Sequence, residues 1–186
     1  MSQSIAHEVQ AHRQTDRDID PMYLNRWSPR SFADKDVPED VLLTILEAAR
    51  WSPSGGNMQP SRYIVARTPE DRAKFHTFIN EGNREWCEKA PVLLVLISNK
   101  LTGNGNFYRS HSFDAGTSWG YLALEAARQG LFAHAMGGFD TELARNTLNV
   151  PEDYEINIVI ALGYRGERAS FPRSSRNARS LPTANR

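Results

Sequence analysis

Pro91-Val92-Leu93-Leu94-Val95-Leu96-Ile97-Ser98 decides the fold. Successive side chains of a strand point to opposite faces, so a strand with one face in water alternates apolar and polar residues. Here the apolar run is unbroken from Val92 to Ile97, which places the strand centrally in a sheet covered on both sides. The flanking segments supply the covers. Upstream, Asp36-Val37-Pro38-Glu39 reads as a helix start with a capping pair and a proline in the first turn. Val41, Leu42, Ile45, Leu46 and Ala49 then follow as one apolar stripe until Ser52-Pro53 stops it. Residues 62–67 are β-branched and aromatic, a short strand, and Thr68-Pro69-Glu70-Asp71 opens a helix that extends to residue 80.

Downstream, residues 99–111 turn to Gly, Asn and aromatic side chains, the signature of a loop and here a candidate mobile lid. Residues 112–129 form a long helix ending before Gly130 and carrying Ala115, Gly116, Gly120, Ala123, Ala126 and Ala127. A glycine inside a helix costs about 1 kcal/mol relative to alanine, so these small residues imply that something packs very close. That neighbour is either a second helix of the same chain or a partner subunit. A strand over 131–136, a helix over 140–148 capped by Asp140, and an Ile- and Val-rich strand over 155–164 complete the pattern. Helices and strands interleave, as in a sheet with helices on both faces.

The 186 residues, 40% of them hydrophobic, suffice for one sizeable core. The organisation reads as a polar arm with room for a short helix over 1–20, a domain over 21–166 and a basic extension over 167–186. Charge balances at 22 basic and 22 acidic residues, so no global field attracts nucleic acid or an anionic membrane. The balance is uneven: from residue 165 onward there are six arginines and one acid, Glu167. This tail is either a solvated extension or one that binds phosphate or embraces a partner. Cys87 is the only cysteine, which excludes an internal disulfide and a cysteine-rich metal site and suits a reducing cytoplasm. The chain shows neither a secretory leader nor a membrane-spanning stretch.

Several familiar chemistries fail on spacing. Gly103-Asn104-Gly105 lacks the third glycine of a dinucleotide fingerprint, and there is no Walker loop. The five histidines have no metal-ligand spacing, and nothing marks a partner for Ser54 as a nucleophile. Cys87 reads as a packed small side chain, and His134 as a hydrogen-bonded core residue.

Two segments do carry chemistry. Arg26-Trp27-Ser28-Pro29-Arg30 spaces two guanidiniums and a hydroxyl two residues apart, a donor set for phosphate or another small oxyanion. Pro53-Ser54-Gly55-Gly56-Asn57-Met58-Gln59-Pro60 is small and polar, suited to close approach of backbone to a flat ligand. Together they point to a phosphorylated aromatic cofactor.

With these two segments, Asn83-x-x-Trp86 ahead of Lys89-Ala90-Pro91, Asp114-x-Gly116 opening the long helix, and Met136-Gly137-Gly138-Phe139-Asp140, the chain resembles the nitroreductase family of flavin mononucleotide (FMN) enzymes over about residues 22–180. The resemblance implies an α+β three-layer α-β-α sandwich with a central mixed sheet, forming an intertwined homodimer with FMN at the interface. It implies that Arg26, Ser28 and Arg30 hold the phosphate and the polar edge of the ring, and that Pro53, Ser54 and Asn57 come from the other subunit. Asn83 would lie near the pyrimidine edge, Gly137 and Gly138 would turn a backbone N–H toward flavin N5, and Met136 would lie against the ring. Arg176 and Arg179 match the family's C-terminal phosphate ligands. Two departures stand out. Ser61 follows Gln59-Pro60 where the family commonly has Trp, and Gly55 follows Ser54 where it has a second Ser.

The same resemblance implies NADH or NADPH as reductant, a ping-pong cycle, and nitroaromatics or quinones as small-molecule acceptors. The flavin carries the chemistry, so no side chain is assigned a catalytic proton transfer, and Arg30 is the expected positive charge near N1 and O2. Phe107, Tyr108 and Arg109 form the expected substrate-selecting wall. The alternatives are another redox task on the same fold, such as flavin or enone reduction or a dehydrogenation, a flavin-binding protein of low turnover, and a basic tail that serves as a nucleic-acid arm.

Overall fold

The computed structural model describes residues 6–166; Arg176 and Arg179 lie outside them. The helices are α1 (His7–Gln10), α2 (Pro21–Asn25), α3 (Glu39–Arg50), α4 (Pro69–Phe78), α5 (Glu81–Cys87), α6 (His111–Arg128) and α7 (Thr141–Leu148). The strands are β1 (Ser61–Ala66), β2 (Val92–Asn99), β3 (Phe132–Met136) and β4 (Tyr154–Gly163). The strands form one sheet in the order β1-β2-β4-β3.

Every pairing in this sheet is antiparallel, which corrects the expected mixed sheet for the described residues. Interleaved helices suggested parallel neighbours, because a parallel pair needs a long crossover. Here the α6 crossover does join two strands of like direction, β2 and β3. The chain then returns through α7 and inserts β4 between them, antiparallel to both.

The unbroken apolar run of β2 divides its side chains between two cores. Leu93, Val95 and Ile97 join Phe75 and Phe78 of α4, Trp86 and Cys87 of α5 and Ala144 of α7. Val92, Leu94 and Leu96 join Leu42, Ile45 and Ala49 of α3 and Leu122, Ala123 and Ala126 of α6. In β4 this alternation slips by one residue. Leu96 pairs with Ile158 while Ile97 pairs with Ile156, so Asn157 is the extra residue of a bulge, and its Nδ2 donates to Ser98 Oγ at 2.8 Å.

Two helix starts are formed as expected: the Thr68 and Asp140 side chains accept from Asp71 N and Leu143 N. The third differs. At α3 the boundary residue is Pro38, and no side-chain cap forms. The N-terminal arm is attached to the body: Val9 is 1% exposed, and Ala6 N donates to Asn25 Oδ1 at 2.8 Å.

Candidate functional site

The cationic segment is built by a helix that stops. Asp20 caps α2 through Met22 N, Pro21 sits in its first turn, and Arg26 already has extended backbone (φ −71°, ψ 121°). Pro29 prevents the helix from resuming. In extended chain alternate residues face opposite ways. Trp27 and Pro29 are buried, whereas Arg26, Ser28 and Arg30 are only half covered and share the other side. The buried side is held firmly: Trp27 meets Phe132 edge-on at 5.8 Å, and His134 Nδ1 donates to the Pro29 carbonyl at 2.8 Å. His134 is thus the hydrogen-bonded residue expected, and it stacks on Trp86 at 4.3 Å.

Arg26 Nη1 lies 3.4 Å from Ser28 Oγ, a long contact. Among the described residues no carboxylate pairs with Arg26 or Arg30. Burial pushes the Arg26 guanidinium below its ordinary pKa, yet arginine keeps its proton in proteins. A half-covered cation with no acid partner among the described residues is well suited to an external anion.

The Trp86–His134 stack brings α5 beside this segment, and with it the glycine turn after β3. Asn83 Nδ2 donates to the Gly138 carbonyl at 3.0 Å, and Asn80 N donates to the same oxygen at 3.1 Å. A Cβ on Gly138 would meet the Asn83 amide nitrogen, so a larger residue there would displace the Asn83 side chain from its bond to the Gly138 carbonyl. Gly137 is exposed. Met136 is 3% exposed and belongs to the core.

Pro53, Ser54 and Asn57 belong to a different loop. No hydrogen bond, ion pair or ring contact among the described residues joins them to Arg26, Ser28 or Arg30. Their loop is a 3₁₀ turn (Gly55–Asn57) with positive φ at Gly56, Asn57 and Gln59. Ser54 Oγ accepts from Gln59 N at 2.9 Å, and Asn57 Oδ1 from Gln59 Nε2 at 2.8 Å. A cavity of about 390 Å³ lies behind it, lined by Leu46, Arg50, Ser54, Tyr63, Asp114 and Ser118 among others.

Residues 99–110 close on themselves as a hairpin. Leu101 bridges Phe107, Thr102 N donates to Asn106 O, and Tyr108 N donates to Lys100 O. At its base Ser98 Oγ and His111 Nδ1 share a 2.8 Å hydrogen bond. Phe107, 66% exposed, and Arg109 face outward. Tyr108 is otherwise engaged: its hydroxyl lies 2.6 Å from Asp114 Oδ2 and 3.0 Å from the Gly55 carbonyl. Asp114, 4% exposed, also accepts from Gly55 N at 3.3 Å. Tyr108 therefore fastens the 53–60 loop to α6. Sequence reasoning missed this latch; its one trace was that Gly55 stands where the family has a second Ser.

Cys87 is buried, and burial pushes its thiol up to about 12, so it is not a nucleophile. Among the described residues no group of His, Cys, Asp and Glu is placed to hold a metal ion, and no helix is long and apolar enough to cross a membrane.

Known proteins resemble this chain in sequence and in fold. The model of the Nitroreductase family matches residues 23–85 and 72–164. The chain is similar to a Thermus thermophilus protein named NADH dehydrogenase, with 32% identity over 178 residues, 77% of this chain and 85% of the relative. It is also similar to a Burkholderia lata protein with the provisional name NADH dehydrogenase/NAD(P)H nitroreductase, 24% identical over 87% of this chain and 93% of the relative. Among solved structures, one described as an oxidoreductase containing FMN superimposes with a TM-score of 0.83 at 37% identity, covering 87% of this chain and 84% of the other. An enone reductase shares the fold, with a TM-score of 0.71 at 22% identity over 78% of this chain and 88% of the other. These matches define the class, the NAD(P)H-dependent flavin oxidoreductases. Within that class the chain belongs to the nitroreductase family.

Proposed function

We propose that the protein is a homodimeric FMN enzyme that oxidises NADH or NADPH and reduces nitroaromatics, quinones or related small acceptors. The observation that carries this reading is the extended trio Arg26, Ser28 and Arg30, half-buried on one side with no carboxylate among the described residues to neutralise it. FMN, when bound, supplies two-electron hydride chemistry in a ping-pong cycle. The chain's own residues bind and orient. Arg26 and Ser28 hold the phosphate, and Arg30 places positive charge beside the polar edge of the ring, where reduction builds negative charge. Asn83 fixes the Gly138 peptide and borders the pyrimidine edge, Gly137 and Gly138 offer a backbone N–H toward N5, and Met136 backs this turn. Arg176 and Arg179 are additional phosphate ligands in this reading.

Pro53, Ser54 and Asn57 complete the site of the partner subunit; within one chain no hydrogen bond among the described residues joins them to the cationic trio. The three-layer dimer, with α6 at its seam, follows from the same reading. Phe107 and Arg109 form the acceptor-selecting wall; Tyr108 contributes to it by fixing the loop beneath.

Purified protein should carry a yellow chromophore that extracts as FMN and should oxidise NADH or NADPH with a quinone present. Arg26→Ala should weaken FMN binding by roughly 1.5 to 3 kcal/mol, the range for charge-assisted hydrogen bonds. Unchanged affinity on flavin titration would remove the phosphate assignment.

A further inference from the structure

The N-terminal arm ends against the cationic segment. Arg13, partly buried, follows the short helix α1, and its Nη1 donates to two carbonyls, Leu24 O and Arg26 O, each at 2.7 Å. The arm is held at a second point by the bond from Ala6 N to Asn25 Oδ1, and Val9 is buried between the two. One guanidinium therefore ties down the last residues of α2 and the residue where the chain turns extended. Those bonds set the direction in which Arg26 leaves the helix.

The arrangement is electrostatically unusual. Arg13 and Arg26 are like charges close enough that, after burial, Arg26 is what lowers the Arg13 pKa. Two neighbouring guanidiniums repel each other, and no carboxylate among the described residues pairs with either. A phosphate, carrying up to two negative charges, would convert this repulsion into attraction.

We propose that Arg13 is a positioning residue of the cofactor site: the N-terminal arm supplies a third guanidinium that holds Arg26 aimed at the FMN phosphate and adds to the positive field there. The inference rests on the phosphate assignment for Arg26. Arg13 acts through the backbone at residues 24–26 and through its charge, so its effect is confined to the phosphate end of the ligand. Riboflavin, which has the same ring and no phosphate, is accordingly indifferent to it.

The test compares FMN and riboflavin on the full-length chain freed of flavin, by fluorescence titration. Arg13→Ala should weaken FMN binding about tenfold, equivalent to about 1.4 kcal/mol, and leave riboflavin binding unchanged. Arg13→Lys should recover most of the loss, because both native bonds come from a single nitrogen and an ammonium can reach two carbonyls. If the Ala variant does not fold, Arg13→Gln carries the same comparison with far-UV circular dichroism as the folding control. Equal weakening of both flavins would overturn the proposal, since it would mark a general loss of structure. Unchanged FMN affinity alongside a weakened Arg26→Ala would overturn it while the phosphate assignment stands. If Arg26→Ala itself changes nothing, the assignment fails and the inference with it.

Discussion

Tyr108 and Gly55 act as one unit at the residue scale. A Cβ on Gly55 would lie 2.6 Å from the Tyr108 hydroxyl but 3.6 Å from the ring carbon that bears it. The hydroxyl alone makes the conflict. Gly55→Ala should therefore destabilise the wild-type chain by about 1 to 3 kcal/mol, as overpacking does, and should be nearly neutral in a Tyr108→Phe background. Denaturant unfolding of the two single variants and the double variant measures that coupling; additive effects would show that the latch is absent. This pair also marks the limit of residue-level reading. Arg26, Ser28 and Arg30 were legible because extended spacing puts alternate residues on one side whatever surrounds them. Tyr108 was read as a substrate-facing residue, because nothing local says that its hydroxyl reaches a carbonyl 53 positions away.

At the scale of elements, helix starts differ in how much they depend on a side chain. Thr68 and Asp140 each accept a backbone N–H at the head of α4 and α7, so Thr68→Ala and Asp140→Ala should each cost about 0.5 to 2 kcal/mol. Asp36→Ala should cost almost nothing, since α3 begins at Pro38 with no side-chain cap. Thermal unfolding of the three variants checks the contrast. The longer elements were readable because each repeats its apolar period over several turns or a full strand. The short helices α2 and α5 were not, since five and seven residues are too few to display a period. The Asn157 bulge escaped for a related reason: β4 is apolar along most of its length, so a slip of one residue leaves no visible break in pattern.

For the whole molecule the unresolved choice was what covers α6. Its alanines answer one half: Ala115, Ala123 and Ala126 pack inside this chain against the α3 side of the sheet. Its glycines belong to another face, where a Cβ on Gly116 or Gly120 would meet nothing within 4 Å and Phe113 is 78% exposed. Gly116→Leu and Gly120→Leu should therefore leave the chain folded, with helix propensity improved by up to about 1 kcal/mol each. They should also abolish dimerisation and bound flavin if this face is the seam. Sedimentation decides the matter: a variant that stays dimeric and yellow would move the interface elsewhere.

By itself, the sequence determined the central strand, the helices on both faces, the outward trio of Arg26, Ser28 and Arg30, and the family. The strand, the helices and the trio rest on periodicity or spacing within a short stretch, which sterics translate directly into direction; the family rests on the resemblance of several motifs spread along the chain. The tertiary structure alone decided that β4 enters between β2 and β3, that Tyr108 occupies the space beside Gly55, and that Arg13 docks on the turn at Arg26. Each of these depends on groups far apart along the chain meeting at hydrogen-bond distance, and such meetings are settled by the packing of the whole core.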